Sequence, residues 1–277
     1  MIRIDAHQHF WRIDRGDYGW LTQKDHPKIA RDFVPTDLLP LLAAAKIDRT
    51  VLVQAAPSEA ETQFLLGLAE AAPFIAGVVG WTDFEAPDVV LRIARLAAQP
   101  RLLGLRPMVQ DIADDEWLLR PGLAKAFEAM RRGGLRLDAL VRPRHLPALA
   151  EFLERHPDLP VVIDHGAKPD IARAGLDMWA TYVRHIAKAS KAYCKLSGLA
   201  GEAGPGWSAP TLKLYVDVLL ESFGPGRLMW GSDWPVLNEA GDYAQWLAAC
   251  ETLTRHLSSS DRQAIFGGTA ATFYGIA

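Results

Sequence analysis

Eight short runs rich in aliphatic and β-branched residues alternate along the chain with longer segments of helical spacing, and this alternation restricts the fold more than any other feature. The runs fall at residues 3–7, 50–54, 74–79, 102–106, 135–141, 161–164, 193–196 and 228–231. A stretch such as Val161-Val162-Ile163 is too continuously apolar to face water, as expected where a parallel sheet is covered by helices on its outer face. Eight such strands with helices between them predict a closed (β/α)8 TIM barrel, one domain over residues 1–277. The rival, an open doubly wound sheet, calls for a Gly-x-Gly-x-x-Gly turn after the first strand, where His7-Gln8-His9 stands instead. Ser58 followed by Glu61, and Ser260 followed by Gln263, have capping-box spacing, and Gly133-Gly134 reads as a helix stop.

Of 277 residues, 49% are hydrophobic and 23% charged, enough to bury a core and too apolar for a disordered chain. Thirty Lys and Arg against 33 Asp and Glu leave a net charge of −3, so no basic field is available for a nucleic-acid partner. Neither a leader-like apolar run at the amino terminus nor a membrane-length one elsewhere is present, and no membrane partner is expected. Two cysteines, Cys194 and Cys250, are too few for a disulfide scaffold; both read as packed thiols of a cytoplasmic protein. Oligomeric state is left open by these features.

The chemistry concentrates at strand ends. In Asp5-Ala6-His7-Gln8-His9, side chains two apart share a face, so His7 and His9 are expected to project together with Asp5 one layer deeper. Such a pair can be two satisfied core imidazoles, or can offer two nitrogens to a metal ion or a substrate carbonyl. His165 ends the sixth strand and Asp233 follows the eighth. Closing the barrel makes the first, sixth and eighth strands share one mouth, which brings three imidazoles and a carboxylate together. That set suits a mononuclear Zn²⁺ or Mn²⁺ site with an open position, and equally a metal-free acid and base site. For an acid–base role the Asp233 carboxyl is expected to be raised by desolvation near Trp230 and Trp234.

Further candidates sit just past other strand ends: Arg106, Arg142 and Lys168 could each hold a substrate hydroxyl or carbonyl, or form rim salt bridges. Lys195 alternates with Tyr193 and Ser197 and points into the barrel, where it needs a carboxylate such as Asp164 or Asp5. Among nine tryptophans, Trp11, Trp81 and Trp234 follow strands and could present flat faces to a sugar ring. The loops at 10–35 and 199–210 are candidate walls of the site. His26, His145, His156, His185 and His256 read as surface residues.

His7-x-His9, Asp164-His165-Gly166-Ala167-Lys168-Pro169, Lys195-Leu196-Ser197-Gly198, Gly231-Ser232-Asp233-Trp234-Pro235 and the closing Ile265-Phe266-Gly267-Gly268 segment together resemble the amidohydrolase superfamily. The likeness runs nearly end to end and is greatest to the metal-optional lactonases of sugar lactones, pyrone dicarboxylate and muconolactones. Within that branch, His9-Phe10-Trp11 and Tyr18-Gly19-Trp20-Leu21 are most similar to the fuconolactonases and related aldonolactonases. The resemblance implies hydrolysis of a small sugar-acid lactone such as L-fuconolactone, with Asp233 activating water. His7, His9 and His165 would contact the carbonyl, or, with Asp233, bind one divalent metal (Zn or Mn) where one is used; no cofactor is required as first choice. Lys195 and Ser197 stand where the dinuclear members have a further histidine, which argues against two metals. The alternative is a metal-dependent decarboxylase, or a hydrolase of another small cyclic or carboxylated substrate, served by the same four residues.

Overall fold

The structure, a computed structural model, describes residues 2–276. Eight parallel strands lie in sequential order: β1 (Ile4–Gln8), β2 (Arg49–Val53), β3 (Ile75–Gly80), β4 (Leu102–Leu105), β5 (Arg136–Ala139), β6 (Val161–Ile163), β7 (Tyr193–Leu196) and β8 (Leu228–Trp230). The first and last strands meet through the segment after β8, where Asp233 N–H donates to His7 O (2.8 Å) and His9 N–H to Trp234 O (2.7 Å). This is the expected (β/α)8 TIM barrel, with helices such as Glu59–Ala71, Leu146–Arg155 and Tyr243–Leu253 around it.

Alternation along each strand sorts residues between two cores. Leu52, Leu137, Ile163, Cys194 and Trp230 face the helix layer, while Val51, Val53, Val79, Val162 and Met229 fill the barrel with Ile4 and Ala6. Phe273 and Tyr274, from the final helix Thr269–Tyr274, join this inner cluster. Among the described residues no helix is long and apolar enough to cross a membrane.

The end signals hold in part. Ser58 accepts a hydrogen bond from Glu61 N–H, but the Glu61 carboxylate reaches past the cap to the Ala55 and Ala56 amides after β2. The helix Ala124–Arg132 stops at Gly133, with Gly134 in the left-handed region at φ +68°. The later cap is Ser258 with Asp261 rather than Ser260 with Gln263, because the helix starts at Ser259.

Candidate active site

A β-bulge in β1 sets the geometry. Asp5 pairs with Thr50 but Gln8 with Leu52, so three steps on β1 match two on β2. The extra residue breaks strict alternation: Ile4 and Ala6 face the barrel, yet His7 and His9 also turn inward. Asp5 therefore points outward rather than one layer below the histidines. There it accepts hydrogen bonds from Ser232 N–H (2.8 Å) and, across the helix layer, Tyr243 O–H (3.0 Å). Gly231 lets the strands close over this point, since a Cβ there would lie 2.7 Å from His7 Cβ.

His165 and Asp233 reach the same volume from strained backbone. Residues 165–168 follow β6 with positive φ at every position, and Asp233 has φ +60°. Non-glycine residues in this region cost about 1 to 3 kcal/mol each and persist only where the surroundings hold them. Nε2 of His9, His7 and His165 lies 3.2, 3.7 and 3.9 Å from Asp233 Oδ1. All four residues are buried, Asp233 being the most accessible at 8%.

Their other ring nitrogens are tied down separately. His9 Nδ1 donates to Val53 O (2.8 Å), and His165 Nδ1 is 2.9 Å from Ser197 Oγ. His7 Nδ1 is 3.1 Å from Lys195 Nζ. Lys195, fully buried, also contacts Asp138 Oδ2 (2.5 Å) and Asp164 Oδ1 (3.1 Å), while Tyr274 O–H donates to Asp138 Oδ2 (2.8 Å). Of the two partners expected for Lys195, Asp164 is present and Asp5 is not. Asp138 and Tyr274 were not anticipated, although a carboxylate in the apolar run Leu137-Asp138-Ala139-Leu140 already demanded a buried partner.

Burial, reinforced by Lys195, holds His7 well below the usual imidazole range, and burial pushes His165 down to about 4. Burial likewise pushes Asp138 up to about 6. For Asp233 burial acts upward, but the surrounding imidazoles, His165 foremost, outweigh it and hold the carboxyl below the ordinary carboxylate range. The expected upward shift is thus reversed, because three imidazole Nε2 atoms lie within 3.2 to 3.9 Å of its carboxylate oxygen and outweigh the desolvation. Asp233 is an anion at neutral pH, ready to accept a proton.

The rim candidates divide. Arg106 is buried beneath the mouth, not on it: Nη1 contacts Asp164 Oδ2 (3.2 Å) and Nη2 donates to Gln54 O. Lys168 and Arg142 line one cavity with Glu202, and Lys168 Nζ is 3.9 Å from Glu202 Oε1. Glu202 carried no motif; only its place in the 199–210 loop pointed to it. Trp11 is fully buried, packed against Tyr18, Trp20 and Phe33 with its indole N–H on Arg31 O, so it is core packing under the loop after β1 and not the open platform expected. Trp234 packs edge-on against Phe10 and Phe33, and Trp81 is half-buried. His145, expected at the surface, is buried and accepts from Arg142 N–H, because it completes the turn after β5. Cys194 and Cys250 are buried free thiols.

The donor set fits one divalent cation. With Nδ1–H committed to Val53 O, a neutral His9 directs the Nε2 lone pair at a carboxylate oxygen 3.2 Å away, and two electron-rich atoms at that distance call for a proton or cation between them. His7, His9 and Asp233 form one group with metal-ligand spacing, and His7, Asp164 and His165 form another. The Lys195 ammonium, in contact with His7 and Asp164, already supplies the positive charge in the second group.

An eight-stranded barrel with histidines and an aspartate at the carboxyl ends of β1, β6 and β8 has the architecture of a metal-assisted or acid–base hydrolase. The amidohydrolase family model matches residues 4–276, and the chain belongs to that family. It is 47% identical over 279 residues to an L-fucono-1,5-lactonase of Burkholderia ambifaria, covering 99% of this chain and 96% of that protein. An L-fucono-1,5-lactonase of Burkholderia multivorans is 37% identical with the same coverage. A crystal structure of a Burkholderia multivorans amidohydrolase with bound zinc superposes with a TM-score of 0.94 at 37% identity, covering 100% of both chains.

Proposed function

We propose that this protein opens a sugar-acid lactone, L-fucono-1,5-lactone or a stereochemical relative, to the free aldonic acid, with Asp233 as general base. The observation that carries this reading is the meeting of three imidazole Nε2 atoms at Asp233 Oδ1, within 3.2 to 3.9 Å, in a chain similar end to end to two lactonases. A decarboxylase would use the same four residues, but neither of these lactonase relatives favours it.

In the reaction, water beside Asp233 attacks the lactone carbonyl carbon as the carboxylate takes its proton. The carbonyl π pair moves to oxygen, where N–H groups of the surrounding histidines stabilise it. When the intermediate collapses, the ring C–O bond breaks and Asp233 returns the proton to the departing alkoxide. One water is consumed, and ionisation of the acid then releases one proton. Metal is optional in this scheme: His7, His9, His165 and Asp233 would hold a single Zn²⁺ or Mn²⁺, which when bound supplies Lewis-acid polarisation of the carbonyl.

Lys168 and Arg142 hold the lactone hydroxyls at the rim, Trp81 takes the ring face, the buried Trp11 and Trp234 support the loop after β1 from behind, and Arg106 acts from below through Asp164. On the same proposal, one barrel domain carries the whole site and the reaction belongs to carbohydrate metabolism in the cytoplasm. The test is Asp233→Asn. A kcat loss of about 10²-fold or more with an unchanged circular dichroism spectrum is expected for removal of a general base. A loss below tenfold would assign the base elsewhere.

A further inference from the structure

Lys195 lies outside the reaction just described, yet it is fully buried against one of the reacting histidines. Its ammonium carries protons only and accepts nothing. Where Nζ meets His7 Nδ1 at 3.1 Å, the ring nitrogen must therefore be the acceptor. We infer that, in the metal-free protein, Lys195 is a positioning residue that fixes neutral His7 as the Nε2–H tautomer, so that His7 donates a hydrogen bond into the site.

Two competing contacts weigh on this assignment. Asp164 Oδ1 could accept a proton from His7 Nδ1, but it is 3.5 Å away against 3.1 Å for Lys195, and Lys195 itself is 3.1 Å from that oxygen. Arg106 Nη1 lies 3.4 Å from His7 Nε2, farther than Lys195 from Nδ1 at 3.1 Å, and Asp233 Oδ1 at 3.7 Å faces Nε2 as an acceptor. On the Nδ1 side of His7 the charges pair without a ring proton, with Lys195 and Arg106 the cations, Asp138 and Asp164 the anions and Tyr274 O–H holding Asp138 in place; Asp233, a further anion 3.7 Å from Nε2, faces the proton placed there. His9 is fixed the other way, since a carbonyl has no proton to give and Val53 O at 2.8 Å requires N–H on Nδ1.

The two histidines of one strand thus use Nδ1 in opposite ways, His7 accepting there and His9 donating. His7 is a hydrogen-bond donor aimed at the space beside Asp233, suited to a carbonyl oxygen that gains negative charge. The use made of the His7 proton rests on the lactonase reading; its position on the ring rests on the hydrogen bonds alone.

The test is long-range ¹⁵N–¹H correlation spectroscopy of metal-free wild-type protein labelled at histidine, near neutral pH. Signals are assigned by their loss in His7→Gln and His9→Gln. The expected result is an unprotonated Nδ1 and protonated Nε2 for His7, and a protonated Nδ1 for His9. A protonated Nδ1 on His7 would overturn the inference. Lys195→Met, in folded protein, is expected to lower kcat on an aldonolactone by about 10²-fold with little change in KM and to move the His7 signals toward the other tautomer. Lost activity with unmoved His7 signals would show that Lys195 is only structural. Absence of lactonase activity in wild type would remove the proposed reaction and leave the tautomer result standing.

Discussion

Gly198 carries a consequence for catalysis that no polar residue reveals. It follows β7 with φ +68°, and a Cβ placed there would lie 2.6 Å from His165 Nδ1, 2.7 Å from Cγ and 2.8 Å from Cβ. Non-bonded heavy atoms pack at about 3.5 to 4.0 Å, so Gly198→Ala requires the imidazole to retreat by roughly 1 Å. That movement disturbs the Nδ1 contact to Ser197 Oγ and withdraws Nε2 from Asp233. The left-handed backbone adds about 1 to 2 kcal/mol for an alanine, and crowding about 1 to 3 kcal/mol more. The variant should therefore unfold about 2 to 5 kcal/mol more easily in urea. Misplacement of a catalytic group by about 1 Å costs on the order of 10² in rate, which is the expected fall in kcat for the folded variant. Both are measured on one preparation, by urea titration and by acid release from an aldonolactone. A folded variant with wild-type kcat would refute the claim that His165 must sit where Gly198 allows it.

Stability should depend on pH through His165. Its folded pKa, down to about 4, lies below the ordinary 6.5, so between these values the unfolded chain binds a proton that the native imidazole does not. The stability advantage of wild type over His165→Asn should therefore shrink as pH falls from 6.5 to 4, by up to about 3 kcal/mol, and level off below. A difference that is flat with pH in urea titrations would show that His165 is not held neutral by burial. Zinc titration of the metal-free protein followed by calorimetry should give one site per chain, since the Lys195 ammonium already supplies the charge in the second group of ligands. Two equivalents of similar affinity would contradict that assignment.

Strand identity and the mouth of the barrel were legible because both follow from period and apolarity. Val162 and Met229 face inward and Ile163 and Trp230 outward, as alternation requires, and because the strands are parallel His165 and Asp233 emerge at the same end as His9. What alternation cannot see is its own interruption. The bulge in β1 turns Asp5 toward Tyr243 while leaving both histidines inside, and nothing in Asp5-Ala6-His7-Gln8-His9 marks where the extra residue falls. Partners across the barrel were equally hidden. That Lys195 meets Asp138 and Tyr274 depends on the relative heights of β5 and β7 and on the final helix reaching into the barrel. The burial of Trp11 depends on how the loop after β1 folds back through Phe33, and no local spacing encodes that return.

The most direct test of the lactonase reading is the initial rate of acid release, followed with a pH indicator, across a panel of L- and D-aldonolactones using protein purified without added metal. Rapid hydrolysis of L-fucono-1,5-lactone and of lactones sharing its hydroxyl configuration is the expected result. No rate above background on any lactone, with or without added zinc or manganese, would contradict it.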